Sequence, residues 1–304
     1  MQTPTNHELE NFAVDHGIEG VSRETLERVY DGSFKVNRVK SFLVFQDRLA
    51  NELLNHKVIR DNPYTRWFEA AKLTENDIRQ FFVQFSVFSS LFLIAQLHKM
   101  LNAPTLEEMH ASKEILVNEL GVMFNSDHKE GDMTESGEHK FKGLTGSAEG
   151  GTFRFKGAHF ELLVRLASHV GLSFSQLGRR EFGSPTTLHF CDELVRLYGS
   201  ADYTTATAAS YAVENWAAAG FWDQLVSGLK NFKTENNIEH LPMAFFTWHA
   251  QLEANHARHT QEELEQFYFA NEFDEDAFIA RGNEMLDAVY IFWEGLDSGR
   301  QQLH

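Results

Sequence analysis

The segment FFVQFSVFSSLFLIAQL, residues 81–97, constrains the fold more than any other stretch of this sequence. It is close in length to a membrane-spanning helix. Three serines and two glutamines interrupt it, however, and no other segment resembles it. We therefore predict that it is a core helix of a soluble protein, buried nearly all round.

Helical signals dominate on both sides of this segment. The chain has only 5 prolines, and few stretches alternate apolar and polar residues with the strand period of two. Thr74 begins a capping pattern ahead of the core helix, and Gly121 is placed to end a later helix. Residues 203–232 predict one long helix, whereas residues 62–71 predict a turn. We expect an all-α protein of about eight helices, forming a single domain over residues 1–304.

Residues 125–157 break this helical pattern. The segment is polar, contains seven glycines and has almost no helical periodicity. Its end, GTFRFKG, has the composition of a short hairpin arm. Long loops inside compact domains are often functional lids. We interpret the segment as a Gly-rich insertion or lid in a helical body.

Charge and cysteine content restrict the class of protein. The formal net charge is −17, which argues against partners such as nucleic acid or an anionic membrane, because both require concentrated Lys and Arg. Cys191 is the only cysteine, so no disulfide can form within the chain. The first residues lack the basic and apolar regions of a signal peptide. We expect a cytoplasmic protein.

A second stretch, WHAQLEANHARH at residues 248–259, contains candidate metal-binding side chains. At about 100° per residue of a helix, His249, Glu253 and His256 fall on one narrow stripe, whereas His259 lies to the side. Imidazole and carboxylate are ligands that iron and manganese accept. The apolar residues before His249 direct this helix into the core, where buried His and Glu need partners.

Three further residues complete a candidate metal site. Glu214 and Glu119 each follow apolar residues, where a carboxylate is costly unless it is paired or binds a metal. His159 lies at the start of another predicted helix. Three carboxylates and three imidazoles from four helices suit a pair of metal ions, as helix bundles build them. The predicted ligands are Glu119, His159, Glu214, His249, Glu253 and His256.

This arrangement resembles the haem-oxygenase-like di-iron oxidases and oxygenases, relatives of the thiaminase-like and pyrroloquinoline-quinone-synthesis helical proteins. The likeness lies in NELG, AHFELLVRLASHVGL, AVENW and HAQLEANH, and it covers roughly residues 78–268. It implies a haem-oxygenase-like helical bundle that binds two Fe(II) ions and uses O2 as co-substrate. A small-molecule substrate and a reductant or redox partner would be needed, and a homodimer is an open alternative.

Two features depart from that family's pattern. The family has a short gap between its first Glu and the following His, whereas 40 positions separate Glu119 from His159. His128 fits the short gap better, but the apolar helix after His159 matches the family and favours that residue. Glu253 stands where the family more often has Asp.

The resemblance implies three kinds of reaction: N-oxygenation of an amine or amino acid, oxidative cleavage of an amino acid, or oxidation of a fatty acid. Family N-oxygenases carry an additional carboxylate on the helix before the first Glu, and residues 78–106 contain no Asp or Glu. This absence favours C–H or C–C bond oxidation. The phenylalanines of residues 81–92 line either an apolar pocket or simply the core.

Other functions are also consistent with the sequence. A metal-free helical binding protein, or a relative that handles a cofactor, would leave the His-Glu stripe as an ordinary helix face. Thiaminase-like relatives use a nucleophilic cysteine, but Cys191 lies in the apolar segment LHFCDELV and is interpreted as a small buried residue. The sequence has no His-Glu-x-x-His zinc motif, Walker loop or Gly-x-Ser-x-Gly elbow.

Overall fold

The computed structural model describes residues 4–16, 22–124, 151–153, 159–270 and 272–301. The side chains of residues 251–260, and of some residues elsewhere in the helices, lie outside the description. The described chain is helical except for one small antiparallel sheet, in which Val122 pairs with Phe153. The prediction of an all-α protein is confirmed.

The elements occur in the following order. The helices and strands are α1 (Pro4–His16), α2 (Arg23–Tyr30), α3 (Val36–Arg48), α4 (Lys57–Arg60), α5 (Pro63–Ala70), α6 (Glu75–Leu101), α7 (Leu106–Glu119), β1 (Val122–Phe124), β2 (Gly151–Phe153), α8 (His159–Ser168), α9 (Pro185–Glu193), α10 (Tyr203–Ala217), α11 (Phe221–Glu235), α12 (Ala244–Ala270) and α13 (Glu275–Gln301). Helices α3 and α9 continue into π-helical turns at Leu49–Leu53 and Leu194–Tyr198. The described helices outnumber the eight predicted because several are only one or two turns long.

Local capping explains where several helices begin and end. The Thr74 hydroxyl accepts from the Asp77 N–H, and the Asp77 carboxylate accepts from the Thr74 N–H, which makes the predicted capping box at the start of α6. Gly121 has a φ of 96° just after α7 and ends that helix as predicted. Each of these ends is therefore determined by residues next to it in sequence.

Two predictions of local structure were wrong. Residues 203–232 form two helices rather than one, because Gly220 has a φ of 89° between α10 and α11. A residue in that left-handed conformation cannot continue an α-helix. The segment at 62–71 forms α5 rather than a turn. Asn62 accepts a hydrogen bond from the Thr65 N–H and Pro63 is the first helical residue, so the pair starts a helix here.

Helix α6 is the segment of residues 81–97 extended in both directions. Among the described helices it is the one that is long and apolar enough to cross a membrane, a test that core helices of soluble proteins also pass. Phe81, Phe82 and Phe85 are completely buried, but Ile94 and Leu97 are 42% and 41% exposed. The prediction of burial nearly all round therefore holds for residues 81–88 but not for the rest of the segment.

The apolar core joins helices that are far apart in the sequence. One continuous apolar cluster contains residues from α3 to α13. Helix α13 packs against α9 and α10, and α11 packs against α5. Helix α8 contacts both α6 and α12. This packing holds the first residue of α8, His159, beside the first half of α12.

Candidate metal centre

Glu119 and His159 meet at two helix ends. Glu119 is the last residue of α7 and His159 is the first residue of α8. The Glu119 Oε2 atom lies 2.8 Å from the Nδ1 atom of His159. Strands β1 and β2 follow α7 and precede α8, respectively, and they pair with each other. The two ends of the connection between these helices therefore lie close together. The long sequence separation is thus compatible with a direct contact.

His249 approaches the same place from α12. It is 7% exposed, and its ring centroid lies 4.6 Å from that of His159. Its Nδ1 atom lies 2.7 Å from the carbonyl oxygen of Phe245. A carbonyl oxygen can only accept, so Nδ1 carries a hydrogen, and in the neutral ring the lone pair belongs to Nε2. Metal-binding histidines are commonly oriented by such a contact.

An aromatic wall fixes the His249 ring in place. The Trp222 ring stacks on it with centroids 4.5 Å apart and an angle of 18° between the planes. The Phe245 ring lies 4.5 Å away on another side. Both residues are buried and belong to the main apolar cluster. The rotamer of His249 is therefore held by packing as well as by its hydrogen bond.

Glu119, His159 and His249 form a group that could hold a metal ion. Each offers one ligand atom, and these atoms all lie within 4.8 Å of one another. Two ligands bonded to one ion at about 2.1 Å lie roughly 3 Å apart, which the Glu119–His159 distance resembles. A carboxylate with two imidazoles is a donor set that iron, manganese and zinc accept. The described residues of this group therefore fit a metal.

Glu214 is the fourth predicted ligand that the structure describes in full. It lies on α10 and is 5% exposed. The nearby phenol of Tyr198 has a pKa raised well above its usual value by burial, and the negative charge of Glu214 raises it further. Glu119 contributes to the same effect. Both carboxylates thus lie within electrostatic reach of one tyrosine.

The side chains of Glu253 and His256 lie outside the described residues. Their backbone belongs to α12, which is helical without interruption from Ala244 to Ala270. A continuous helix preserves the spacing that predicts one stripe for His249, Glu253 and His256. Their role as ligands stays a prediction. The alternative ligand His128 also lies outside the description, as does the predicted insertion at residues 125–157 except for residues 151–153.

A buried polar network next to these residues was missed by the sequence analysis. Lys99, on α6, is only 3% exposed and donates a hydrogen bond to the Ser210 hydroxyl at 2.8 Å. Its Nζ atom lies 3.4 Å from Glu263 Oε1, which also accepts from the Tyr203 hydroxyl at 3.2 Å. The sequence indicated this network only by placing a lysine in an apolar segment. It did not predict that the partners of this lysine lie on α10 and α12.

Cys191 is buried, as predicted, at 2% exposure. Burial raises the pKa of its thiol to about 12. A thiol that stays protonated is a poor nucleophile. The phenylalanines at the start of α6 also pack as core, since Phe85 contacts the rings of Trp222 and Phe246.

Comparison with known proteins supports the fold. No protein-family model and no curated protein matches the sequence. A domain of unknown function with a haem-oxygenase-like fold from Shewanella denitrificans matches with a TM-score of 0.55 and 12% identity, covering 81% of this chain and 88% of that one. A TenA homologue from Pseudomonas syringae matches with a TM-score of 0.57 and 14% identity, covering 84% and 93%. The chain therefore has the haem-oxygenase-like helical fold that the resemblance implied.

Proposed function

We propose that the protein is a non-haem di-iron enzyme that uses O2 to oxidise a small organic acid, amino acid or fatty acid. The observation that carries this proposal is the convergence of Glu119, His159 and His249, three metal-binding side chains from three helices, on one buried place. Burial matters because polar groups of this kind are costly inside a core without a partner. Glu119 and His159 already contact each other and His249 contacts the Phe245 carbonyl, and a metal ion would add a partner that all three share.

The proposed ligands divide into two groups. Glu119, His159 and His249 supply one cluster of donor atoms, and Glu214 on α10 adds a buried carboxylate. The remaining two ligands come from the turns of α12 that follow His249. We assign the iron ions to Glu119, His159, Glu214, His249, Glu253 and His256. When bound, iron would supply the one-electron chemistry that activates O2.

The surrounding residues would orient and protect the site. The Phe245 carbonyl fixes the His249 tautomer so that Nε2 is available to a metal. The rings of Trp222 and Phe245 cover His249 and exclude water from that side. A dry site strengthens the interaction between the carboxylates and a cation. The chain's contribution would thus be a preorganised set of ligands.

The substrate class rests on the absence of Asp and Glu from residues 78–106, which include most of the helix before Glu119. Helix α6 has no acidic residue after Asp77, and its buried side chains include four phenylalanines. This composition favours C–H or C–C bond oxidation over N-oxygenation of an amine or amino acid. The N-oxygenase remains the alternative. Screening acids and amines for faster O2 consumption by the iron-loaded protein distinguishes the two.

Metal stoichiometry is the decisive test of the proposal. The protein is loaded anaerobically with Fe(II), freed of unbound iron and analysed for iron per chain. We expect about two irons in the wild type and a loss of half or more in His249→Ala and in His256→Ala. His169→Ala is the matched control, because His169 is exposed and follows α8 outside the cluster. Wild-type protein that takes up no iron would refute the proposal.

One observation also suits a metal-free binding protein. The 2.8 Å contact between Glu119 and His159 is a good hydrogen bond without any metal. In that case the two residues would stabilise the junction of α7 and α8 only. The iron analysis separates these functions, since a metal-free protein would contain no iron in either the wild type or the variants.

A further inference from the structure

A row of oxidisable rings leads from His249 to the protein surface. We propose that Trp222, Trp293, Tyr64 and Trp67 carry single electrons from a donor at a surface cavity to the candidate metal centre. This inference rests on the proposed function, because it assumes a redox-active metal beside His249. The evidence is the spacing of the rings, their surroundings and the position of the outer end.

The rings are in near contact along the whole route. Trp222 stacks on His249 at 4.5 Å. Phe221 separates Trp222 from Trp293, with centroid distances of 4.6 and 5.5 Å. Beyond it, Trp293 lies 5.7 Å from Tyr64, and Tyr64 lies 5.4 Å from Trp67. A single phenylalanine is therefore the widest gap between two rings that can lose an electron.

Trp216 provides a second connection in the middle of this route. Its ring stacks on Phe221 at 4.7 Å with an interplanar angle of 10°, and it lies 6.3 Å from Trp293. The chain has 27 phenylalanines but only 5 tryptophans and 7 tyrosines. Four of the five tryptophans thus belong to one continuous group.

Packing alone does not explain why these residues are tryptophans. Within the described residues, the indole nitrogens of Trp216, Trp222 and Trp293 are buried without a hydrogen-bond acceptor. An unpaired buried N–H costs free energy that a phenylalanine would avoid. The same feature suits an electron carrier. An oxidised indole with no acceptor for its proton stays a radical cation, so it regains an electron without having to recover a proton.

The outer end of the row opens to solvent. Trp67 is partly buried and carries the Arg300 guanidinium 4.5 Å from its ring centroid. Tyr64 and Trp67 line a surface cavity of about 280 Å³ together with Arg79 and Arg300. These residues give an electron donor access to the last ring. Arg300 pairs with Asp297 and Arg79 pairs with Glu75, so the charge of this cavity selects no particular sign of donor.

The electrons and protons balance along the row. An oxidised centre beside His249 would take one electron from Trp222, and each oxidised ring would then be refilled from its outer neighbour. The vacancy would end on Trp67, which a one-electron donor in the cavity would refill as that donor is oxidised. Tyr64 also releases its phenolic proton when it is oxidised. Water in the cavity that it borders can take up this proton and return it on reduction.

A photo-oxidant attached at the outer end tests electron transfer along the row without loading the protein with iron. Gly299 lines the same cavity, and a Cβ at this position would meet nothing within 4 Å. Gly299→Cys in the full-length protein is labelled with a ruthenium polypyridyl complex, while buried Cys191 stays unlabelled. Flash oxidation of the complex removes electrons from the row in the reverse direction. Mass spectrometry then locates the oxidised tryptophans.

We expect oxidation products at Trp222, which the label cannot touch directly. Trp293→Phe or Tyr64→Phe should lower the oxidation of Trp222 several-fold and leave that of Trp67 unchanged or higher. Tyr268→Phe is the matched control, because Tyr268 is a completely buried tyrosine outside the row. Products confined to Trp67 in the parent, or unchanged yields at Trp222 in both row variants, would overturn the proposal. A failure of iron binding appears separately, in the metal analysis.

Discussion

The Glu119 carboxylate lies 2.8 Å from the His159 ring, although 40 positions separate the two residues in the sequence. The contact joins the end of α7 to the start of α8. It is the clearest departure from the short gap of the resembled family. It also provides a direct test of whether His159 or His128 is the metal ligand.

We expect His159→Ala to abolish or halve iron binding and His128→Ala to leave it unchanged. The reason is that a ring nitrogen of His159 lies within 4.8 Å of the ligand atoms of both Glu119 and His249. Iron per chain after anaerobic loading measures the effect. A larger loss in His128→Ala than in His159→Ala would mean that the shorter spacing supplies the ligand.

Lys99→Met should destabilise the protein. Lys99 is 3% exposed and pairs with Glu263, which keeps 22% of its side chain exposed. Removing one partner of a buried ion pair costs about 3 kcal/mol, because the Glu263 carboxylate then keeps only its hydrogen bond from the Tyr203 hydroxyl. The free energy of unfolding in urea measures the loss. Adding Glu263→Gln to the variant should recover part of it, and a double variant less stable than Lys99→Met would contradict this explanation.

Cys191 should make stability depend on alkaline pH. Burial raises its pKa in the folded protein to about 12, from the ordinary thiol value of 9.0. The unfolded thiol loses its proton first, so this stabilisation is complete below about pH 9 and is lost as the pH rises towards 12. Each pH unit in that window costs about 1.4 kcal/mol.

The difference in unfolding free energy between wild type and Cys191→Ala, followed from pH 8 to about pH 11, isolates this contribution from other titrating groups. We expect the wild type to lose its advantage over the variant as the pH rises. A constant difference across the window would show that the thiol titrates alike in both states.

Gly228→Ala should separate α11 from α5. A Cβ at Gly228 would lie 2.6 Å from Phe68 Cδ1 and still closer to the Phe68 carbonyl oxygen, which belongs to the backbone and cannot move aside. We expect a loss of about 1–3 kcal/mol from overpacking. Thermal unfolding measures it. Gly299→Ala is the control, since its Cβ would meet nothing within 4 Å; equal effects of the two substitutions would exclude the steric explanation.

Local features of the sequence predicted much of the secondary structure. The Thr74 capping box and the Gly121 stop are formed by neighbours in the chain, and both are present in the structure. Two local signals misled. The Asn62-Pro63 pair starts a helix as readily as a turn. Gly220 interrupts the single helix that the residues on both sides of it predicted.

By itself, the sequence determined the helical class of the fold and the spacing of His249, Glu253 and His256 along one helix, because both follow from periodicity within a few turns of chain. Only the tertiary structure decided that His159 contacts Glu119, that Lys99 pairs with Ser210 and Glu263, and that Trp222 covers His249. These contacts join residues on different helices. They depend on how whole helix faces pack against each other, and no local pattern in the chain encodes that packing.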